Sequence, residues 1–150
     1  MRFALGFFLA STILQAQIAI SGDVTIPQTV TALGKFPQVT VTVTEKDKPV
    51  TYTGASLFEI LKSAGAPFDE HMQDRALHNR AMISSLLVTA KDGYRVVFSL
   101  SELDPKNGNA EVLVISKPDG TFSLLVPHAG SKARNVRAVQ EVSVFQPARP

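Results

Sequence analysis

The residues able to do chemistry in this 150-residue chain are few, and their spacing excludes more than it offers. His71 and His78 stand seven apart. On one helix they share a face but lie ~10 Å apart along its axis, too far to hold one metal ion. Asp92, Glu102 and Asp104 fall in a stretch rich in turn residues, where capping or turn duty accounts for each carboxylate. Glu45 and Asp47 are oxygen donors in a polar run, where a carboxylate is ordinarily solvated. The chain has no cysteine, which removes disulfides, zinc–thiolate sites, iron–sulfur clusters and thiol nucleophiles. Neither a nucleophile elbow, a phosphate-binding P-loop, a His-Glu-x-x-His helix nor a glycine-rich dinucleotide turn is present. Tyr94, after Asp92-Gly93, is expected to lay its ring on a sheet and hydrogen-bond its hydroxyl to backbone. No catalytic residue is nominated. What remains is charge: Lys132, Arg134 and Arg137 follow closely on His128 and Gly130.

The elements that must position these residues read as an α+β domain. Val39, Val41 and Val43 alternate with Gln and Thr from Gln38 to Thr44, the period-two pattern of a half-buried strand. Lys46 to Pro49 is a polar turn, and Val50 to Thr53 returns as the partner strand. Ser56 with Glu59 reads as a capping box for a helix whose Leu57, Ile60, Leu61 and Ala64 share one face, with Gly65 ending it. Asp69 is placed as the cap of a second, surface-lying helix through Met82. Ser84 to Thr89 and Tyr94 to Phe98 flank Lys91-Asp92-Gly93, a hairpin signal, because Asp-Gly readily takes φ > 0. Ser99 with Glu102 caps one helical turn, stopped by Pro105. Glu111 to Ser116 and Thr121 to Val126 form a second hairpin, and Val136 to Phe145 completes the sheet. The expected fold class is therefore α+β: a mixed, mostly antiparallel β-sheet with one or two helices.

Composition narrows the function classes. With 45% hydrophobic and 19% charged residues the chain has the makings of one folded domain rather than a disordered segment. A net charge of +2 is too small for bulk nucleic-acid binding, and the absence of tryptophan argues against an aromatic-rich recognition face. Met1-Arg2, the apolar run Phe3 to Leu14 and then Leu14-Gln15-Ala16 have the layout of a secretory signal peptide. That run is too short to span ~30 Å of hydrocarbon. Residues 1–16 are thus expected to be an export leader and 17–150 a single periplasmic or secreted domain, with no membrane contact after the leader is removed.

Three segments carry a family resemblance. Tyr52-Thr-Gly-Ala-Ser-Leu-Phe-Glu-Ile-Leu-Lys-Ser-Ala-Gly65 resembles the helix-opening segment of the sulfite-oxidase-type molybdopterin-binding domain. Leu87 to Asp104, with Asp92-Gly93-Tyr94 at its turn, is similar to that family's central hairpin. Leu124-Leu-Val-Pro127, followed by Lys132, Arg134 and Val136, resembles its ending. The match spans about residues 22 to 145 and is nearest to short, exported members of the group.

The resemblance implies a molybdopterin-binding scaffold, and the departures limit it. Catalytic members bind molybdenum through a cysteine thiolate after the first core strand. Here that stretch is Thr44-Glu45-Lys46-Asp47-Lys48, so no molybdenum thiolate ligand is available. By resemblance, the cofactor's phosphate end falls to His128, Gly130, Lys132, Arg134 and Arg137, with Lys132 and Arg134 on one face of a strand and Arg137 joining them through a bulge. The expectation is an exported ligand-binding or accessory domain with a small anionic or pterin ligand. The alternatives are a pterin-dependent oxidoreductase without a protein thiolate and a partner-binding module that keeps only the fold.

Overall fold

The computed structural model describes residues 15–68 and 73–148. Residues 1–14, within the expected leader, lie outside the described residues, as do Asp69 and His71. In chain order the elements are β1 (Ile18–Gly22), β2 (Gln28–Val30), β3 (Gln38–Glu45), β4 (Lys48–Ser56), α1 (Leu57–Ser63), α2 (Arg75–Ile83), β5 (Ser85–Ala90), β6 (Arg95–Ser99), the single turn α3 (Leu100–Leu103), β7 (Leu113–Ser116), β8 (Phe122–Leu125), a 3-10 turn (Lys132–Arg134) and β9 (Val139–Phe145). The strands form two sheets rather than one. Sheet A has the order β2-β1-β9-β5-β6 and sheet B the order β3-β4-β7-β8. Every described strand pair is antiparallel except β1 with β9, so the mixed, mostly antiparallel α+β class holds.

One core joins the two sheets. Alternation sends Ile18, Ile20, Leu86, Val88, Phe98, Val142 and Val144 of sheet A inward, where they meet Ala55, Val114, Phe122 and Leu124 of sheet B. Leu57, Ile60, Leu61 and Ala64 of α1 complete it, each at most 1% exposed. The expected helix face is therefore the buried one. Gly65 ends the helix at φ 71°, a left-handed conformation that glycine takes without strain.

Several local expectations need correction. Ser56 sits at the start of α1 but makes no capping bond with its side chain. The Leu57 amide donates to Val112 O at 2.9 Å, because β4 runs directly into the helix beside β7. The cap of α2 is Asp74, not Asp69: its carboxylate accepts from the amides of Ala76 at 2.9 Å and Leu77 at 3.3 Å. The chain between Val126 and Val139 is not strand: Val136 makes a lone bridge to Leu124, and Lys132–Arg134 turns as a 3-10 helix. β1 and β2 had no expectation attached. β1 is short, and its parallel partner β9 lies more than a hundred residues on, a pairing that local periodicity does not encode.

Candidate functional site

The site is built on the face of sheet B turned away from the core. Period-two alternation puts Val39, Val41 and Glu45 of β3, Tyr52 of β4, Leu113 and Ile115 of β7, and Ser123 and Leu125 of β8 on that side. Lys117, one residue past β7, continues the same row. Val41, Leu113, Ile115 and Leu125 form a second, small apolar cluster, with Val39 and Tyr52 packed against it. Gly54 lets β7 come this close: a Cβ there would meet Val114 O at 2.4 Å and the Ile115 side chain at 2.7 Å.

The connection from β8 to β9 carries all five nominated residues, and the structure distributes them to different places. Arg134 turns toward sheet A. Its guanidinium makes a two-pronged contact with Glu102, at 2.7 and 3.3 Å, and stacks over the Phe98 ring at 4.2 Å. Glu102 also accepts from the Ser99 amide at 3.0 Å, so one carboxylate caps α3 and ties down the connection. The Tyr94 hydroxyl donates to Ala133 O beside it. The expected backbone bond is there, although the ring stays half exposed. His128 faces Glu111 at 3.7 Å and lines a separate cavity of about 460 Å³ with Glu59, Phe58 and Leu113. Gly130 stands in open space: a Cβ would meet nothing within 4 Å, so no close backbone approach calls for glycine there. Lys132 and Arg134, expected on one strand face, diverge because the 3-10 turn rotates successive side chains away from each other.

Lys132 and Arg137 do come together. They line a cavity of about 290 Å³ on the outer face of sheet B, joined by Glu45, Tyr52, Lys117 and Ser123. The residues that sequence reasoning left out of the site are Lys117 and Tyr52. The alternation Leu113, Ile115, Lys117 was the available signal, because it places the lysine on the apolar row's own face. Glu45 is the cavity's one carboxylate. It accepts from the Tyr52 hydroxyl at 3.1 Å and faces the Lys132 ammonium at 3.5 Å. Burial raises the Tyr52 pKa, and the neighbouring Glu45 raises it further, so the phenol stays a proton donor. The Lys117 ammonium lies 6.0 Å from the Tyr52 ring centroid. Arg137 makes no hydrogen bond or ion pair among the described residues, and it precedes Ala138, which is held at φ 48°.

This donor set does not fit a thiolate-bound molybdenum. The chain has no cysteine, and the stretch from Thr44 to Lys48 is a tight hairpin turn with Lys46 and Asp47 at φ 48° and 61°. Its Glu45 carboxylate is already engaged by Tyr52 and Lys132. The cation-lined cavity, by contrast, has the chemistry to receive the phosphate end of a pterin cofactor, through Lys132 and Arg137 of the five nominated residues.

The architecture is that of a mixed, mostly antiparallel α+β domain. The crystal structure of the sulfane dehydrogenase SoxCD from Paracoccus pantotrophus matches it with a TM-score of 0.63 at 15% sequence identity, over 88% of this chain. The chain spans 38% of the length of that neighbour, and at this identity the likeness is one of fold. No protein-family profile and no curated protein sequence matches the chain.

Proposed function

We propose that the protein is an exported ligand-binding or accessory domain on a molybdopterin-binding-type scaffold, with a small anionic or pterin ligand held on the outer face of sheet B. The observation that carries this reading is the cavity in which Lys117 of the β7–β8 turn meets Lys132 and Arg137 of the β8–β9 connection around a single lining carboxylate, Glu45. The family resemblance and the fold shared with a sulfane dehydrogenase supply the scaffold. The missing cysteine argues against inherited oxygen-atom transfer, because no side chain can supply the thiolate. Export rests on the basic start, the apolar run and Ala16. No helix among the described residues is long and apolar enough to cross a membrane.

The test uses protein purified from its native exported fraction, beginning near Gln17. Metal analysis should find no stoichiometric molybdenum, and extraction should release a small ligand or pterin fluorescence. Stoichiometric molybdenum would replace this reading with an oxidoreductase that lacks a protein thiolate. A ligand-free protein that co-purifies with another chain would replace it with a partner-binding module.

A further inference from the structure

Among the described residues four strands lie at sheet edges, and three of them are covered or cut short. β2 has only three residues. β6 is flanked by the β8–β9 connection, which takes the Tyr94 hydroxyl at Ala133 O and stacks Arg134 over Phe98 at 4.2 Å. β8 is bridged at Leu124 by Val136. β3 has no such cover. It runs for eight residues, pairs in regular register with β4 alone, and carries no charge or proline from Gln38 to Thr44. Edge strands are ordinarily blunted by lysine, proline, a bulge or a covering loop, and this stretch of β3 has none of these.

The hairpin turn fixes which backbone groups of β3 are left over. Lys46 and Asp47, at φ 48° and 61°, form a two-residue turn with Glu45 opposite Lys48. Residues flanking such a turn exchange both main-chain bonds, and bonded pairs alternate along the ladder. Val39, Val41, Val43 and Glu45 therefore bond to β4. Gln38, Thr40, Thr42 and Thr44 aim their amides and carbonyls outward, where no described residue meets them.

We propose that β3 is an interaction edge whose partner is β3 of a second copy, paired antiparallel about a two-fold axis at Val41. An axis normal to the sheet keeps each face on its own side, so valine meets valine and threonine meets threonine. In this register Thr40 of one copy bonds to Thr42 of the other, and Gln38 to Thr44, on both sides of the axis. Val39 lies opposite Val43, which carries the small apolar cluster of Val39 and Val41 across the joint. An axis at Thr42 would instead set Val39 against Glu45. The Val41 register also brings the Lys46-Asp47 turn of each copy toward Lys35 of the other. Asp47 and Lys35 are exposed, opposite in sign and without an ionic partner among the described residues. An unrelated extended peptide would meet the backbone groups alone, whereas a second copy also matches both faces and both charged ends. This surface goes beyond the ligand-binding reading and does not depend on it.

Sedimentation equilibrium of the full processed chain tests the pairing. One strand pair is smaller than a standard interface, so a reversible dimer should form within about 1–500 μM. Thr40→Lys with Thr42→Lys sets lysine against lysine across the joint and should leave monomer throughout that range. Thr40→Lys with Thr42→Glu sets opposite charges there and should restore the dimer. Both positions are exposed, so circular dichroism of the two variants should match the parent. The chain has no cysteine, so Val41→Cys supplies one thiol per copy, at an axis where facing Cα atoms lie ~4.5 Å apart. Mild oxidation should join Val41→Cys chains in pairs far faster than Thr53→Cys chains, whose thiol lies one strand in from the edge. A parent that stays monomeric across the whole range would overturn the proposal. So would a dimer that persists in the double-lysine variant, which would place the contact elsewhere on the molecule. If the monomeric parent instead holds a different chain through β3, the edge is real and the self-pairing falls.

Discussion

Two regions of the molecule are held together in opposite ways. The face of α1 that meets both sheets contains only carbon: Leu57, Ile60, Leu61 and Ala64, all essentially inaccessible to solvent. The connection between β8 and β9 is anchored in the core at Val126 and Val136, and Val136 also bridges to Leu124. Between those two points it is tethered by polar contacts: the Asn135 carboxamide accepts from the Val126 amide at 2.8 Å, Tyr94 reaches Ala133 O, and Arg134 reaches Glu102. Apolar packing is cumulative and non-directional, so the helix face is stable but chemically silent. The polar tethers fix a few atoms and leave neighbouring side chains uncommitted. Arg137 is such a side chain, Lys132 is held only by Glu45 at 3.5 Å, and the candidate site is made from them.

The sharpest way to break this contrast is at its apolar pole. Leu61→Ala should cost about 2–5 kcal/mol through lost burial and the cavity left behind. Denaturant melts should register the full loss, while the cavity on sheet B keeps its geometry in whatever fraction stays folded. At the polar pole, Glu102→Ala should cost about 1–3 kcal/mol, because it strands the half-buried Arg134 and frees the Ser99 amide together. Hydrogen exchange should then rise over residues 131–135 more than over α1. A loss confined to global stability, with no local change there, would mean that the connection is held by something other than Arg134.

The same contrast predicts what each region does with acid. The Arg80 guanidinium holds the Asp23 carboxyl below the usual carboxylate range, aided by the Gln146 amide. A group whose folded pKa is depressed contributes stability that is present above its unfolded value, near 3.8. That stability is lost as the pH falls through the lower, folded value. The pair is partly exposed, so its worth is at most about 1 kcal/mol. Asp23→Asn should flatten the acid limb of the stability curve by removing that contribution at neutral pH, leaving stability below both pKa values nearly unchanged. Thermal melts of the two proteins across that limb measure the difference.

The remaining effects are smaller. Ala138 holds a left-handed conformation at φ 48°, which disfavours any residue with a Cβ. Ala138→Gly should therefore stabilise by up to about 1 kcal/mol, the relieved strain being offset in part by added chain entropy in the unfolded state. Ser56→Ala should change stability by less than about 0.5 kcal/mol, because the Ser56 side chain makes no capping bond. Read from sequence as a capping box, the same change predicts ~1 kcal/mol, so chemical denaturation of this one variant separates the two views.

That difference locates what was legible beforehand. The face of α1, the turns at Gly93 and Gly120, and the β3–β4 and β7–β8 hairpins follow from period and turn chemistry within a dozen residues, and all are present. Ser56 makes no side-chain cap, and the start of the helix is pinned instead from more than fifty residues away, where the Leu57 amide donates to Val112 O just before β7. The split of one sheet into two, and the parallel pairing of β1 with β9, are likewise long-range. The site followed the same rule. Lys132 and Arg137 were legible as charges near a glycine, but the 3-10 turn that sends Arg134 to sheet A was not. Lys117 was hidden in a hairpin turn, where lysine is ordinarily solvated.

The central claim is that the basic segment divides its labour, with Arg134 serving the fold and Lys132 and Arg137 serving a ligand. Backbone amide NMR of the labelled protein, titrated with inorganic phosphate, tests it most directly. The division predicts saturable shifts at Tyr52, Lys117, Lys132 and Arg137, with Phe98, Glu102 and Arg134 unmoved. Shifts centred on Arg134 and Glu102, or spread evenly over all the exposed lysines and arginines, would contradict it.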